Sequence, residues 1–123
     1  MERARKGRGK GGTWIQLLIL RILYETPLHG YALNEHLNSY QKGRRPIKPG
    51  SMYTILRRME KEGLLESTWD EESSRLNRRV YTLSEFGIKR LEEGRRMVES
   101  QIAILTEMKQ FYDKYFLERE LDE

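Results

Sequence analysis

The stretch "PGSMYTILRRMEKEGLLES", residues 49–67, decides the fold because it predicts a helix with two unlike faces. Pro49 suits the first turn of a helix, where its missing N–H costs nothing, and Gly63 suits the position just beyond a helix end. At about 100° per residue, the apolar side chains between these limits fall within one narrow stripe. They are Met52, Ile55, Leu56 and Met59. The stripe predicts an amphipathic helix packed on a core.

The opposite face of this helix is almost entirely basic. Its predicted exposed side chains are Tyr53, Thr54, Arg57, Arg58 and Lys61. A helix exposed only for solubility usually mixes charge signs, yet Glu60 is the only acid here. Arginine pairs with guanine edges, and hydroxyls suit phosphates, as do the free N–H groups at Gly50 and Ser51. We interpret Ser51 and the five exposed side chains as candidate DNA-binding residues, with an ordinary solvated face as the alternative.

Working outward from this helix, the element order is helix, helix, helix, strand, strand, long helix. Two shorter helices are predicted at residues 14–24 and 30–40, and period-two patterns at 64–70 and 78–83 predict a β-hairpin with a polar tip. Ser84 then begins a helix to about residue 117, interrupted only by Gly87 and Gly94. We therefore expect a mainly α fold with a small β-hairpin. This is a winged helix-turn-helix whose third helix reads DNA, extended by a long C-terminal helix.

Finer expectations concern the first two helices and the turn after them. In the second helix we expect Tyr31 to face inward with two leucines, and His29 to cap the start. Ile47 is expected to form a short strand. The first helix is apolar on nearly all sides, so we expect something besides the local fold to cover it.

Charge is unevenly distributed along the 123 residues, whose net charge is only +4. Residues 1–12 carry five Lys or Arg and one Glu, and residues 41–61 carry seven and one. Basic islands on a nearly balanced chain indicate a polyanionic partner, although a mixed solvated surface remains the alternative. We expect a disordered basic arm at 1–12, a DNA-binding domain at 13–88 and a dimerisation helix at 89–123.

The hairpin adds three further basic candidates for DNA binding. They are Arg75, Arg78 and Arg79. A basic wing suits contact with the minor groove or the phosphate backbone, the alternative being solvated turn charges. Trp69 is expected at the base of the wing or in the core.

Enzyme chemistry finds little support in the sequence. The chain has no cysteine, which excludes disulfides, thiol catalysis and cysteine-ligated metals. His29 and His36 lack further ligands at metal-binding spacing, and "GRGKGG" does not follow a strand as a phosphate loop requires. The sequence contains no run of 18 or more apolar residues, so it predicts no membrane-spanning helix. We expect a cytoplasmic protein that is not an enzyme and carries no cofactor or metal.

The last helix carries an apolar stripe with a repeat of seven. Its candidate dimerisation residues are Leu91, Val98, Ile102, Leu105, Met108 and Tyr112. A monomer would expose more apolar surface than is usual, so we expect a homodimer on a palindromic site. The alternative is that this helix folds back to cap its own domain.

Three ordered motifs, within residues 14 to about 91, resemble the PadR family of transcriptional regulators. The first holds Pro27, His29, Gly30 and Tyr31. The second holds Pro49, Gly50, Ser51 and Tyr53. The third holds Arg79, Tyr81, Leu83, Ser84, Glu85 and Gly87. The resemblance implies a dimeric winged-helix repressor whose C-terminal helix forms the dimer. It also implies that Tyr53 and the start of the third helix touch the DNA backbone, with the wing arginine near the minor groove.

Some PadR members respond to small aromatic compounds at the dimer interface, so release by such an effector is open for this chain. We therefore expect a repressor of an inverted-repeat operator in double-stranded DNA. A low-specificity architectural DNA-binding protein is the main alternative. A module that binds another protein is the third.

Overall fold

The computed structural model describes residues 12–41, 43–70 and 79–122. The elements are α1 (Gly12–Glu25), β1 (Leu28–His29), α2 (Gly30–Tyr40), α3 (Pro49–Lys61), β2 (Leu65–Trp69), β3 (Arg79–Leu83) and α4 (Glu85–Asp122). This order confirms the predicted mainly α fold with a small hairpin and a long final helix. Arg75, Arg78 and residues 1–11 of the arm predicted at 1–12 lie outside the described residues. Gly12, the last residue of that arm, is the first residue of α1.

The sheet has three antiparallel strands in the order β1–β3–β2. Trp69 lies opposite Arg79 in the hairpin, and Leu28 of β1 lies opposite Tyr81. The sequence did not predict β1, because two residues are too few to show a period of two. The predicted strand at Ile47 is wrong. Its N–H donates to Oδ1 of Asn38 at 2.9 Å and its carbonyl accepts from Nδ2 at 3.3 Å, so a side-chain amide replaces a strand partner.

The core is formed by apolar side chains from α1, α2 and α3, with Leu64, Leu65 of β2 and Tyr81 of β3. Its fully buried members are Ile19, Leu20, Leu33, Leu37, Met52, Leu56, Met59, Leu64 and Leu65. This core covers most of α1, so the expected need for further cover is limited to Trp14 and Tyr24, which are 39% and 61% exposed. The inward placement of Tyr31 is wrong, since its side chain is exposed. A residue two positions before Leu33 lies on the opposite side of a helix.

The end of α3 is closed by a backbone motif centred on Gly63. This residue has a φ of +85°, a left-handed conformation that favours glycine. Its N–H donates to the Glu60 carbonyl at 3.0 Å, and the next N–H, of Leu64, donates to the Met59 carbonyl at 2.9 Å. These two bonds satisfy carbonyls that the helix end leaves free. The predicted helix end is therefore confirmed.

The start of α4 is tied to the end of α3 by Ser84. Its Oγ accepts the N–H of Gly87 at 3.0 Å, so Ser84 caps α4 as predicted. The same hydroxyl donates to the Gly63 carbonyl at 2.5 Å, and the Ser84 N–H donates to the Leu64 carbonyl at 3.1 Å. A Cβ on Gly87 would lie 2.1 Å from that Leu64 oxygen, so this junction requires glycine. The helix continues through Gly87 and Gly94 without a break.

The chain divides into two compact units, with the boundary after Leu91. The first contains the core and the sheet, and the second contains the remainder of α4. Among the described residues, no helix is both long and apolar enough to cross a membrane.

Candidate nucleic-acid interface

The two faces of α3 have opposite solvent exposure. Met52, Leu56 and Met59 are each no more than 1% exposed, which confirms most of the predicted stripe, and Ile55 is half-buried. The side chains on the other face are exposed. They are Ser51, Tyr53, Thr54, Arg57, Arg58 and Lys61. The helix is thus fixed by its apolar side, and its basic side is available to a partner.

The start of α3 also faces solvent. Pro49, Gly50 and Ser51 are exposed, and Lys48 takes the N-cap position without a side-chain hydrogen bond to the helix. The first N–H groups of a helix have no acceptor within it, and they carry the positive end of its dipole. An anion can therefore approach this helix start without displacing a capping side chain.

Thr54 is exposed, but its hydroxyl has a partner within the helix. The Oγ1 donates to the Gly50 carbonyl at 3.2 Å. Its oxygen lone pairs and its methyl group remain available, and a threonine methyl can contact the methyl of thymine. Thr54 is therefore placed to accept a hydrogen bond or make an apolar contact with a partner.

Tyr53 lies across the start of α2. A Cβ on Gly30 would come within 2.7 Å of Cε1 in the Tyr53 ring, so the ring rests directly on that glycine. The tyrosine is still 44% exposed. Because Gly30 has no side chain, the Tyr53 ring can occupy this position. The sequence did not predict this contact.

Side-chain contacts hold together the described base of the wing. The Arg79 guanidinium lies over the Trp69 ring, 4.4 Å from its centroid. Its Nη1 donates to the Ser67 Oγ at 2.6 Å, and that hydroxyl donates to Glu60 Oε2 at 2.8 Å. Trp69 is 52% exposed, so of its two expected places it takes the wing base and not the core. Arg79, a predicted DNA-binding residue, is half-buried and engaged within the protein.

Tyr81 of β3 lies close to charged side chains of α3. Its side chain is buried, and burial raises its pKa above the usual value of 10.0, with the nearby charge of Glu60 adding to the rise. Tyr53 raises this pKa further, whereas Arg79 and Arg57 lower it. Residues predicted separately on α3 and on the hairpin are therefore close enough to influence one phenol.

His29 occupies the predicted N-cap position of α2, but its side chain makes a different contact. Its backbone is extended at the N-cap position of α2, but the side chain makes no capping hydrogen bond. Instead Nε2 lies 2.8 Å from Asp70 Oδ2, and both side chains are about one quarter exposed. This contact joins β1 to the end of β2. Forty-one residues separate the partners, so no local pattern could predict it.

The candidate dimerisation residues are spread along α4. Leu91 and Val98 are half-buried. Ile102, Leu105, Met108 and Tyr112 are between 44% and 63% exposed. Farther along, the rings of Phe111, Tyr112, Tyr115 and Phe116 contact one another with centroids 5.2–6.2 Å apart.

Within the described ranges, no group of three or more His, Asp or Glu side chains is placed to hold a metal ion. His36, the second histidine considered as a ligand, is exposed on α2.

Comparison with known proteins addresses the identity of this winged-helix arrangement. The profile of the transcriptional regulator PadR-like family matches residues 19–93, which include the core, the sheet and the start of α4. The chain belongs to the PadR-like family. The motif resemblance is thereby confirmed, and proteins of this family are DNA-binding transcriptional regulators. The PadR-like segment contains every described DNA-binding candidate.

Solved structures with the same fold support this PadR-like assignment. A PadR-like transcriptional regulator from Bacillus cereus is 32% identical, with a TM-score of 0.62 over 75% of this chain and 90% of that one. A PadR family regulator from Clostridium difficile is 27% identical, with a TM-score of 0.65 over 77% and 97%. A conserved protein described as a potential transcriptional factor is 28% identical, with a TM-score of 0.72 over 94% and 97%.

A curated relative adds a sequence match of similar extent. An uncharacterized protein of Lysinibacillus sphaericus is 25% identical over 76 residues, which are 62% of this chain and 70% of the relative.

Proposed function

We propose that this PadR-like protein is a homodimeric repressor that binds an inverted-repeat operator in double-stranded DNA. The observation that carries the proposal is the division of α3 into a buried apolar face and an exposed basic face. A helix held in this way can enter a major groove without losing its packing on the core. Ser51 and Tyr53 are suited to backbone phosphates. Arg57 and Arg58 are suited to base edges.

The wing extends this interface beyond α3. Arg75 and Arg78 remain predicted DNA contacts, and basic hairpins suit the narrow minor groove or the adjacent phosphates. Lys61 lies at the end of α3 and suits a phosphate, because an ammonium group is a point charge without bidentate geometry. Together these groups supply electrostatic affinity, while the exposed arginines of α3 supply most of the sequence preference.

Dimerisation is proposed through α4. The apolar residues Ile102, Leu105, Met108 and Tyr112 are exposed at the spacing of one helix face. An exposed apolar stripe of this length marks an interaction surface, and twofold symmetry matches an inverted repeat. Repression and release by a small aromatic effector rest on the family resemblance alone. We propose that the protein acts in the cytoplasm, where it meets chromosomal DNA, and that it is not an enzyme.

The deciding experiment selects bound sequences from a randomised DNA pool at two salt concentrations, with wild type and Arg57→Ala. We expect a short inverted repeat for the wild type. Arg57→Ala should cost about 1–3 kcal/mol on that repeat and relax the preference at one base pair in each half-site. Tyr53→Phe should weaken all sequences alike, because a phosphate contact carries no base information.

Arg96→Ala is the matched control, since Arg96 is an exposed arginine of α4 away from the Leu91–Val98 face. It should leave the selected repeat unchanged. Broad binding with a steep salt dependence would instead support the architectural alternative. Absence of DNA binding would support the protein-binding module.

A further inference from the structure

Glu60 is the only acidic residue among the basic side chains of α3 that we propose face DNA. Its Oε2 accepts a hydrogen bond from the Ser67 hydroxyl at 2.8 Å. The same hydroxyl oxygen accepts from Arg79 Nη1 at 2.6 Å. Ser67 therefore bridges a carboxylate on α3 and a guanidinium on β3. Hydrogen bonds to charged groups are stronger than neutral ones, so this bridge joins the two elements firmly.

The hairpin register places the side chains of Ser67, Trp69, Arg79 and Tyr81 on one face of the sheet. Ser67 lies opposite Tyr81, and Trp69 lies opposite Arg79, so the four side chains alternate correctly to share a face. Tyr81, on that face, is only 6% exposed. Trp69 holds one side of the Arg79 guanidinium while Ser67 holds Nη1. The arginine is thus fixed from two directions by its own protein.

We propose that Glu60, Ser67 and Arg79 are positioning residues that hold the wing in one orientation relative to the reading helix. The inference rests on the proposed function, and it names which residues set the alignment of its two DNA-contacting parts. In this assignment Arg79 acts through the position of the wing. It is removed from the set of residues expected to touch DNA directly.

A physical need for such a bridge follows from the size of the sheet. Two-stranded hairpins are marginally stable alone, and β1 contributes only two residues to this sheet. A wing that pivots on its base would have to be ordered each time DNA is bound. A bridge formed before binding removes that ordering cost and favours the site on which helix and wing both fit.

The test compares Ser67→Ala with Thr68→Ala, its exposed neighbour on the other face of β2. Affinity is measured on the selected operator and on an unrelated duplex, over a series of salt concentrations and well below the unfolding temperature. Ser67→Ala should weaken operator binding about 2- to 10-fold, as the loss of hydrogen bonds predicts. The unrelated duplex should be much less affected, and the salt dependence should be unchanged. Thr68→Ala should match the wild type.

Arg79 distinguishes positioning from direct contact. A lost phosphate contact lowers the log–log salt slope by roughly 0.9, whereas a lost positioning residue leaves the slope intact. We expect Arg79→Ala to keep the slope. Its effect on operator affinity should not add to that of Ser67→Ala, because both changes break the same bridge. Arg79→Lys keeps the charge but loses the planar fork, so it should resemble Arg79→Ala.

Several outcomes would overturn the inference. Additive effects of Ser67→Ala and Arg79→Ala, or a reduced salt slope for Arg79→Ala, would make Arg79 a direct DNA contact. A lowered unfolding temperature with unchanged operator affinity would make the bridge purely structural. Tighter binding by Ser67→Ala would show that the bridge holds the wing away from DNA. Failure of the wild type to bind any duplex would overturn the proposed function and, with it, this inference.

Discussion

Replacing Gly87 with alanine should destabilise the domain, although alanine is the better helix former. The added Cβ would lie 2.1 Å from the Leu64 carbonyl oxygen and 3.1 Å from its carbon. Contacts below 3.0 Å are essentially never seen for real Cβ atoms, so the backbone must separate by at least about 0.9 Å. The opposing atom belongs to the main chain, so no side-chain rotation can relieve the clash.

The magnitude follows from two opposing effects. Alanine improves helix propensity by about 1 kcal/mol over glycine. Against this, overpacking costs about 1–3 kcal/mol. The separation also stretches the Ser84 N–H bond to the Leu64 carbonyl and the Ser84 bond to Gly63, each a net contribution of about 0.5–1.5 kcal/mol. Complete loss of both bonds would give a net loss of about 1–5 kcal/mol. Because the bonds are stretched and not fully broken, we expect a net loss of about 2–3 kcal/mol.

Urea and thermal unfolding, followed by circular dichroism at equal protein concentrations, measure this loss. For a domain of this size, 1 kcal/mol shifts the unfolding temperature by about 4–8 °C, so the drop should be roughly 8–24 °C. Gly50→Ala is the matched control, because a Cβ there meets nothing within 4 Å. It should be neutral or slightly stabilising. If Gly87→Ala raised the unfolding temperature as well, the close approach would not be a rigid constraint, and the reasoning would fail.

Three further predictions follow from other contacts. Burial, aided by Glu60, raises the pKa of Tyr81, so the folded state holds this proton more tightly than the unfolded state. The resulting stability is complete below the unfolded pKa of about 10 and is lost as pH rises through the folded pKa. Urea unfolding at pH 8 and 10.5 should show this loss of stability for the wild type and a much smaller loss for Tyr81→Phe. Gly30→Ala should displace the Tyr53 ring and weaken binding to all DNA sequences alike, measured by competition. Leu105→Asp should place a charge in the proposed dimer surface and give monomers or aggregates by light scattering.

Each of these predictions has a result that contradicts it. Equal alkaline destabilisation of wild type and Tyr81→Phe would assign that effect to other groups. A Gly30→Ala effect that persists unchanged in a Tyr53→Ala background would show that the glycine acts without the phenol. A clean dimer of unchanged stability for Leu105→Asp would exclude this surface as the interface.

Local features of the fold could be predicted from the sequence because they depend on neighbouring residues. The stripe of Met52, Leu56 and Met59 follows from helical periodicity, the α3 end from a glycine with positive φ, and the α4 start from a serine cap. Each signal lies within one or two turns of the structure it predicts. The exposed residues of α3 could be identified in the same way, since they occupy the face opposite the stripe.

The features that could not be predicted depend on residues far apart in the chain. β1 exists only because β3 pairs with it, and its two residues carry no periodicity of their own. The partners of Arg79 lie 10 residues away in Trp69 and 12 in Ser67, and the sequence offered only a basic charge on a hairpin. Glu60 was a partial signal. An isolated acid on a basic face is expected to have a partner inside the protein, but periodicity does not identify that partner.

The junction at Leu64 and Ser84 also determines how the wing can vary in length. The Ser84 N–H donates to the Leu64 carbonyl, and the adjacent residues Leu65 and Leu83 pair in the sheet. Backbone hydrogen bonds therefore hold the two ends of the hairpin together at its base. Loop-closure entropy grows only logarithmically, by about 0.6 kcal/mol for each doubling of loop length. Insertions or deletions between Asp70 and Arg79 should therefore cost little stability, which makes the hairpin tip an exchangeable module on a fixed base.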